Sequence, residues 1–309
     1  MNKFVLILCA IILLTSCTKE LPFVGIEGIS FENYPRVDGS TSCRVLNQMI
    51  ACKLLGIRYK WTHSDFSTEW YLTSEDKEYE NFLWDRVKTS QTHDSYMNLI
   101  DGNADIILTH RTISPDEKAH ADAVGVTLVE IPIASDAFVF IIHQKNPVKS
   151  LTINEIQKIY TKGITNWSEV GGKKADINAY LRPRNSGSEE VFRTLVMDGL
   201  EPADFPESFY LLDMPWVFIT MLWDEYGICY SFNNYADVIL RNTDVPKIAI
   251  NGISPNRNTV KNSTYPFISE VHVAIRSDLN HISMAYKLFE WLQSEEAKST
   301  INECGFIPK

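Results

Sequence analysis

Three short segments of this sequence combine hydroxyl or glycine residues with the start of a helical pattern. They are Gly39-Ser40-Thr41-Ser42, Thr92-His93-Asp94-Ser95 and Arg182-Pro183-Arg184-Asn185-Ser186-Gly187-Ser188. The first N–H groups of a helix have no partner inside the helix, and the helix dipole adds partial positive charge there. Each turn is therefore a candidate site for a small anion. Serine and threonine also cap helices without any ligand, so one such turn alone is weak evidence.

Each turn precedes a helix whose apolar face the spacing predicts. The apolar positions are Val45, Leu46, Met49, Ile50 and Leu54 after the first turn, Tyr96, Leu99 and Ile100 after the second, and Val191, Phe192, Leu195 and Val196 after the third. Ser186 and Glu189 also match a capping box, so the third turn can be read as an ordinary helix start.

The rest of the chain alternates strand-like with helix-like segments, which predicts an α/β fold with mainly parallel strands. Segments 104–108, 126–133 and 137–142 are predicted strands. Segment 64–88 is polar and aromatic without clear period, and we interpret it as an irregular insertion.

Helix starts are marked twice more by capping boxes. Ser114 and Glu117 enclose a proline at the first helical position, and Gly125 is placed to end that helix. Thr152 and Glu155 repeat the pattern. Two further helices are therefore expected at these positions.

Composition limits the classes of function. Hydrophobic residues make up 45% of the chain and aromatic residues 11%, so a sizeable core and two domains are expected. The net charge of −10 repels nucleic acid, which we exclude as a partner. An anion site in such a chain must be local, built from N–H groups and an arginine.

Cysteine and histidine spacing does not indicate a metal site or a disulfide framework. Cys43, Cys52, Cys229 and Cys304 match no zinc pattern. Cys43 and Cys52 would lie about 13 Å apart on one helix, too far to bridge. The seven histidines show no ligand-like pairing, at His63, His93, His110, His120, His143, His272 and His281. With no Gly-x-Ser-x-Gly elbow either, a secreted phosphatase is the weaker alternative, and no catalytic residue, metal or cofactor is expected.

The N-terminus carries a secretion signal. Lys3 precedes an apolar run that is too short to span a bilayer, and Leu14-Thr15-Ser16-Cys17 follows at once. This tetrapeptide resembles a lipobox, which predicts a signal peptide over 1–16, a lipid on Cys17 and a tether over 17–29. The expected location is the cell envelope, with a periplasm-facing lipid anchor as the membrane contact. An ordinary secretory signal that happens to contain Cys is the alternative.

Many segments, in order along the chain, resemble the phosphate-type substrate-binding proteins of ABC importers, which are periplasmic-binding-protein-like. The matching segments over roughly 35–309 are Gly102-Asn103-Ala104-Asp105-Ile106, Ile133-Ala134-Ser135-Asp136-Ala137-Phe138-Val139, Lys145-Asn146-Pro147-Val148, Leu151-Thr152, Ile159-Tyr160, Gly163-Ile164-Thr165-Asn166-Trp167, Glu169-Val170-Gly171-Gly172, Gly227-Ile228-Cys229-Tyr230-Ser231-Phe232 and Gly305-Phe306-Ile307-Pro308. The turn from Arg182 to Ser188 resembles the anion loop of that family.

The resemblance implies a two-lobed fold with a hinge and an interlobe ligand cleft. Lobe 1 would comprise 30–136 plus 268–309, and lobe 2 would comprise 137–267. It implies a monomeric, lipid-anchored lipoprotein that captures a small oxyanion, with phosphate as the leading candidate, for an ABC permease. An oxyanion-binding sensor or surface binding protein not coupled to transport is the alternative.

The resemblance also assigns ligand contacts by matching positions. The residues carried over are Ser40, Thr41 and Ser42 of the first turn, Thr92 of the second, and Arg182, Ser186, Gly187 and Ser188 of the third. Arg182 would supply the formal positive charge, with Arg184 as a competing candidate. Gly187 would leave its backbone N–H accessible to the anion.

One position departs from the family. Phosphate keeps a proton at neutral pH, and the best-known members accept it with an Asp soon after the strand equivalent to 104–108. Here Thr109 and His110 follow, and either could accept a hydrogen bond. His110 can equally be a loop histidine with no contact to the ligand. If a neutral His110 is an acceptor, sulfate should gain on phosphate as pH falls through the ordinary histidine pKa of about 6.5. Asp94 and Asp136 are alternative acceptors. Arg111 would be a second positive charge or a surface residue.

Overall fold

The computed structural model describes residues 25–63, 69–241 and 245–309. The strands are β1 (Val37–Gly39), β2 (Tyr59–His63), β3 (Trp70–Ser74), β4 (Ile106–Thr109), β5 (Leu128–Ile142), β6 (Ser150–Leu151), β7 (Asn178–Ala179), β8 (Gly227–Phe232), β9 (Ala249–Ile250), β10 (Ile268–Arg276) and β11 (Ile307–Pro308). The α-helices are α1 (Arg44–Leu55), α2 (Glu78–Arg86), α3 (Thr92–Ile100), α4 (Pro115–Ala123), α5 (Ile153–Tyr160), α6 (Gly187–Val191), α7 (Met214–Trp223), α8 (Arg257–Lys261), α9 (Met284–Trp291) and α10 (Glu295–Glu303). Short 3-10 turns occupy Thr41–Cys43, Trp167–Val170 and Glu207–Phe209, and π-helical turns occupy Phe192–Met197 and Tyr235–Leu240.

A mixed sheet forms the framework. In the described residues it has seven strands in the order β1-β4-β10-β5-β8-β7, with β11 also paired to β5. The prediction of mainly parallel strands is wrong, because only β1–β4 and β7–β8 run parallel in this sheet. The cause is the return strand β10, which runs antiparallel to both β4 and β5.

Strand β5 is continuous, where the sequence predicted two strands. Its residues up to Ala137 pair with β10, and its residues from Phe138 pair with β8. Residues 134–136, which lay between the two predicted strands, are part of β5. The buried Asp136 carboxylate accepts hydrogen bonds from the backbone N–H groups of Ala137 and Asn234. One long strand therefore joins the part of the sheet that contains β10 to the part that contains β8.

The helices that capping boxes and apolar spacing predicted are confirmed. α1 buries all five of its predicted apolar positions and ends at Gly56, whose φ of 69° is the left-handed conformation that glycine favours. α4 and α5 begin with the expected capping boxes at Ser114 and Thr152. These helices cover the sheet and orient the turns that precede them.

Segment 64–88 is more regular than expected. Residues 64–68 lie outside the described residues, but Trp70–Ser74 pairs antiparallel with β2, and α2 follows. Trp70 and Tyr71 of β3 are aromatic residues, which favour strands. Tyr79, Phe82 and Leu83 have the spacing of an apolar helix face and pack against the core.

Aromatic packing supports the third turn. Phe192, directly after α6, stacks on Tyr230 of β8 with ring centroids 4.5 Å apart, and both are fully buried.

In the part of the chain that the structure describes, no helix is long and apolar enough to cross a membrane. The predicted signal peptide and Cys17 lie outside the described residues.

Candidate anion-binding site

The three predicted turns meet around one small cavity. It has a volume of about 20 Å³. The lining residues are Ser40, Thr41, Ser42, Gln91, Thr92, Arg182, Ser186, Gly187, Ser188, Met214 and Phe232. All the predicted contact residues except Thr109 and His110 are among them. Space for little more than one water-sized group suits a small ion and excludes a larger solute from this cavity.

The first turn is held against the sheet. Gly39 ends β1 so close to β4 that a Cβ there would lie 2.4 Å from the Leu108 carbonyl oxygen, so this position requires glycine. The Ser40 backbone N–H donates to the same carbonyl at 3.1 Å. The chain then enters the 3-10 turn and α1, which directs Ser42 toward the cavity.

The second turn begins with strained backbone. Gln91 has a φ of 69°, unusual for a residue with a side chain, and it brings Thr92 to the first position of α3. Buried Asp38 accepts from the Ser90 backbone N–H at 2.9 Å and from the Asn98 amide at 2.8 Å. Since Asp38 belongs to β1, this carboxylate ties the second turn to the first.

The third turn uses its acidic residue differently from the prediction. The Ser186 hydroxyl caps α6 by accepting from the Glu189 backbone N–H at 3.2 Å. The Glu189 carboxylate does not complete the capping box. It accepts from the backbone N–H of Arg182 at 3.2 Å and also binds Tyr230 and Arg193. Burial raises the pKa of Glu189, an effect that the bonds from Tyr230 and Arg193 oppose.

Arg182 is buried, and only part of its guanidinium group is hydrogen-bonded within the described residues. One guanidinium nitrogen, Nη1, donates to the Leu211 carbonyl at 2.6 Å. Among the described residues, Arg182 Nε and Ser188 Oγ are buried atoms without a hydrogen-bond partner, and both residues line the cavity. Burial lowers the pKa of Arg182 from its usual value, yet arginine stays charged in proteins. Arg184, the competing candidate, is exposed.

The second and third turns touch each other. A Cβ on Gly187 would lie 2.2 Å from Thr92 Oγ1 and 3.0 Å from Thr92 Cβ. No larger residue fits at Gly187 while the two helix starts are this close. The glycine therefore permits the contact between helix starts, in addition to the accessible N–H that the sequence suggested.

Thr109 and His110 differ from their predicted place, since neither lines the cavity. The Thr109 hydroxyl donates to the Arg111 carbonyl at 2.8 Å. His110 lies behind the wall, with Nδ1 2.7 Å from Ser42 Oγ and its ring stacked on Phe232 at 3.9 Å. Both side chains are buried at the end of β4.

His110 also has a different charge from the one expected. Burial lowers its pKa, but Cys43 and the Asp136 carboxylate outweigh that effect and raise it to about 9. Its Nε2 lies 3.5 Å from Asp136 Oδ2. At neutral pH the ring is therefore protonated and donates to Ser42 Oγ, so the Ser42 hydroxyl can donate either to Ser40 Oγ, 3.2 Å away, or into the cavity. The expected switch near pH 6.5 does not follow from this geometry.

The other charged candidates also lie away from the cavity. Arg111 is neither a surface residue nor a cavity residue, because it is buried in a two-point ion pair with Glu117 at 2.6 and 2.7 Å. Asp94 is exposed. The Asp136 carboxylate accepts from the backbone N–H groups of Ala137 in β5 and of Asn234, which follows β8. Arg182 is the one formally charged side chain among the described residues that line the cavity.

Sequence reasoning missed Gln91, Met214 and Phe232 as lining residues. Gln91 could have been found, since it directly precedes a predicted turn. Met214 and Phe232 come from distant segments, and no local signal marks them. In the described parts of the chain, no group of histidine, cysteine and acidic side chains could hold a metal ion.

Comparison with known proteins gives relatives in both sequence and structure. The phosphate-binding protein PstS of Bacillus subtilis is 28% identical over 209 residues, which cover 67% of this chain and 63% of that protein. The chain thus matches less than two thirds of that relative's length. Protein SphX of Synechocystis is 27% identical over 235 residues, covering 72% of this chain and 69% of that protein.

Solved structures share the fold. A substrate-binding protein from Clostridium perfringens, assigned to phosphate ABC transport and solved with bound phosphate, superposes with a TM-score of 0.65 at 22% identity, covering 91% of this chain and 99% of that one. An ABC-type phosphate transport receptor from Vibrio cholerae gives 0.62 at 21% identity, covering 88% and 98%. The predicted two-lobed α/β fold is confirmed. A family model described as the PBP superfamily domain matches residues 68–296, well over half of the sequence, and the chain therefore belongs to the periplasmic-binding-protein superfamily, with its relatives among the phosphate-type members.

Proposed function

We propose that this chain is a lipid-anchored, extracytoplasmic binding protein that captures phosphate for an ABC importer. The observation that carries the proposal is the pair of buried atoms without partners in the described residues, Arg182 Nε and Ser188 Oγ, in the wall of a cavity of ionic size. A buried donor that lacks a partner costs about 1–3 kcal/mol, and an oxyanion would satisfy both. The charged donor would contribute most.

The cavity favours the oxyanion class. Its walls supply serine and threonine hydroxyls, helix-start N–H groups and one arginine. No aspartate or glutamate is among the described residues that line it. Phosphate is the preferred member of the class because the Bacillus subtilis relative is named a phosphate-binding protein and the Clostridium perfringens structure contains bound phosphate.

The lobe boundaries remain as inferred from the sequence, 30–136 plus 268–309 and 137–267. Two features support them. Strand β5 changes partner between Ala137 and Phe138, and the return strand β10 begins at Ile268. The cavity draws its first two turns from one proposed lobe and its third from the other, so closing the lobes would enclose the ion.

The importer and the anchor have support of their own. The Clostridium and Vibrio structures are named for phosphate ABC transport, and the lipobox at Cys17 supports attachment to the membrane. A cell-envelope location with the lipid facing the periplasm fits both, and the monomer is part of the same proposal.

Calorimetric titration tests the function. The Cys17→Ser chain, which lacks the lipid, would be titrated with phosphate, arsenate, sulfate and molybdate at pH 7.5. We expect phosphate and arsenate to bind, and sulfate to compete measurably because no cavity carboxylate repels a fully ionised anion. Absence of binding heat and of competition for all four anions would contradict the proposal.

A further inference from the structure

A much larger cavity adjoins the anion cavity. Its volume is about 530 Å³, and it shares four lining residues with the smaller one, Thr41, Gln91, Arg182 and Met214. We name it the wide chamber. The four shared residues place the two cavities side by side, so a ligand with a charged end and an organic end could reach both.

The volume of the wide chamber exceeds what an inorganic ion needs. Pockets for small organic ligands fall in the range of about 300–1,000 Å³. The wide chamber lies within this range. The anion cavity, at about 20 Å³, has room only for the charged end of such a ligand.

The walls of the wide chamber combine apolar and polar surface, and Gln48 is among the lining residues with buried polar atoms that lack a hydrogen-bond partner in the described residues. Gln48 is 8% exposed, and its Oε1 has no hydrogen-bond partner among the described residues. The hydroxyls of Thr89 and Ser90 lie in the same lining. Amide and hydroxyl groups exchange hydrogen bonds readily with the hydroxyls of a sugar or polyol.

The charges of the chamber are partly neutralised. Arg44 forms an ion pair with Glu69 at 3.4 Å, and its guanidinium lies 4.8 Å from the Tyr71 ring centre. Lys88 and Asp213 add one charge of each sign to the lining. Apart from Arg182, the charged residues of the lining therefore balance, with Arg44 and Lys88 against Glu69 and Asp213.

An aromatic ring completes the wall. Trp84, on α2, lines the wide chamber and remains 69% exposed. An exposed indole face can stack on the apolar CH face of a hydroxylated ring or chain. Polar hydrogen-bonding groups together with one aromatic face favour a hydroxylated organic group.

We propose that this chain binds phosphate monoesters whose organic group is small and hydroxylated, with the phosphate in the anion cavity and the organic group in the wide chamber. The inference rests on the proposed anion-binding function and extends it to a ligand class. The phosphate end would contact Arg182 and Ser188, while the organic end would contact Gln48 and Trp84.

The test compares inorganic phosphate with two esters. The purified chain would be titrated by calorimetry with phosphate, glycerol 3-phosphate and glucose 6-phosphate. Wild type should bind at least one ester as tightly as inorganic phosphate. In Trp84→Ala, ester affinity should fall by about two- to tenfold, the usual size of an aromatic contact, while phosphate affinity stays unchanged.

A second tryptophan provides a matched control. Trp223 is 84% exposed at the end of α7 and does not line the wide chamber. Trp223→Ala should leave both affinities unchanged. Gln48→Leu, of similar volume, should weaken the esters selectively, with circular dichroism checking the fold.

The outcomes separate the two proposals. Binding of inorganic phosphate with no competition from either ester would overturn the ester proposal and leave the anion site standing. Ester binding that neither Trp84→Ala nor Gln48→Leu weakens would also overturn it, since the organic group would then lie elsewhere. Failure of every ligand, inorganic phosphate included, would count against the anion site itself.

Discussion

Arg182 can contact a ligand in the cavity because the rest of the residue is fixed elsewhere. Its backbone N–H contacts Glu189 and Tyr230, and Nη1 is bound to the Leu211 carbonyl. Nε remains without a partner in the described residues. Little side-chain entropy would be lost when an anion binds to a guanidinium that is already positioned.

Removing this side chain should weaken binding without unfolding the protein. A charge-assisted hydrogen bond contributes about 1.5–3 kcal/mol, so Arg182→Ala should lower phosphate affinity by about one to two orders of magnitude. Arg184→Ala is the control, because Arg184 is an exposed arginine of the same turn. Equal phosphate affinities for wild type and Arg182→Ala in calorimetry would contradict the site assignment.

Substitution of Ser188 and of Ser186 by alanine should have different effects on the stability of the ligand-free protein. Ser188 Oγ has no partner in the described residues, so Ser188→Ala should leave the ligand-free protein as stable or up to about 1 kcal/mol more stable, yet weaken phosphate binding several-fold. Ser186 caps α6, so Ser186→Ala should destabilise the ligand-free protein by about 1 kcal/mol. Denaturant unfolding with and without phosphate measures both effects. Loss of ligand-free stability in Ser188→Ala would argue for a purely structural hydroxyl.

His110 should make stability depend on alkaline pH. Its pKa in the folded chain is about 9, against about 6.5 when unfolded, so the protonated ring stabilises the fold fully below pH 6.5. That contribution, on the order of 3 kcal/mol, should be lost as pH rises through 9. Ligand-free denaturation from pH 6 to 10 would measure it. His110→Ala should lack this step, and an identical pH profile in wild type and variant would refute the raised pKa.

At the scale of elements, the site depends on two helix starts that meet. The first residue of α3 and the first residue of α6 are in contact at Thr92 and Gly187. Neither helix start could form a closed cavity alone. Any side chain at Gly187 would hold the two helices apart.

Gly187→Ala should therefore impair closure. A methyl group 2.2 Å from Thr92 Oγ1 cannot be accommodated without separating the helix starts. Phosphate affinity should fall by about tenfold or more. The thermal transition of the ligand-free protein should change little, because the two helix starts belong to different proposed lobes and can move apart. Gly163→Ala is the control, since its added Cβ would meet only ordinary contacts at 3.5 Å. Wild-type affinity in Gly187→Ala would contradict the closed contact.

Local signals predicted much of this architecture. Apolar spacing and capping boxes gave α1, α4 and α5, and the three turns gave most of the lining of the cavity. α2 had the same spacing in Tyr79, Phe82 and Leu83, but the surrounding polar residues obscured it. Strand direction was predicted wrongly because the pairing of β10 with β4 joins segments far apart in the sequence.

The raised pKa of His110, which makes the ring a donor instead of the expected acceptor, was missed for a related reason. The charge of a buried histidine depends on its neighbours, and here those are Cys43 and Asp136 from other elements. No pattern around residue 110 indicates which groups will pack against it. Met214 and Phe232 joined the cavity in the same way, through tertiary contacts alone.

At the scale of the whole molecule, an acidic protein presents a local basic site. The net charge of −10 gives an anion no long-range attraction, so capture depends on contacts inside the cavity. Salt should therefore affect the association rate only weakly compared with a protein that has a basic surface.

Attachment to the membrane can be tested at the same scale. Cys17→Ser should remove the predicted lipid and release the protein from the membrane fraction. Fractionation followed by mass measurement of the mature N-terminus would check this. A wild-type protein without diacylglycerol, together with a variant that still sediments with membranes, would contradict the anchor.

Four cysteines of the described chain, Cys43, Cys52, Cys229 and Cys304, are buried and unbridged. Burial raises the pKa of Cys52 and of Cys229 to about 12, so almost no reactive thiolate forms at neutral pH. In an oxidising envelope, such thiols are protected only while the molecule is folded. In the proposed envelope location, folding of the new chain would therefore compete with oxidation of these thiols. In the purified protein, the rate of modification by a thiol reagent then measures how often the native state opens.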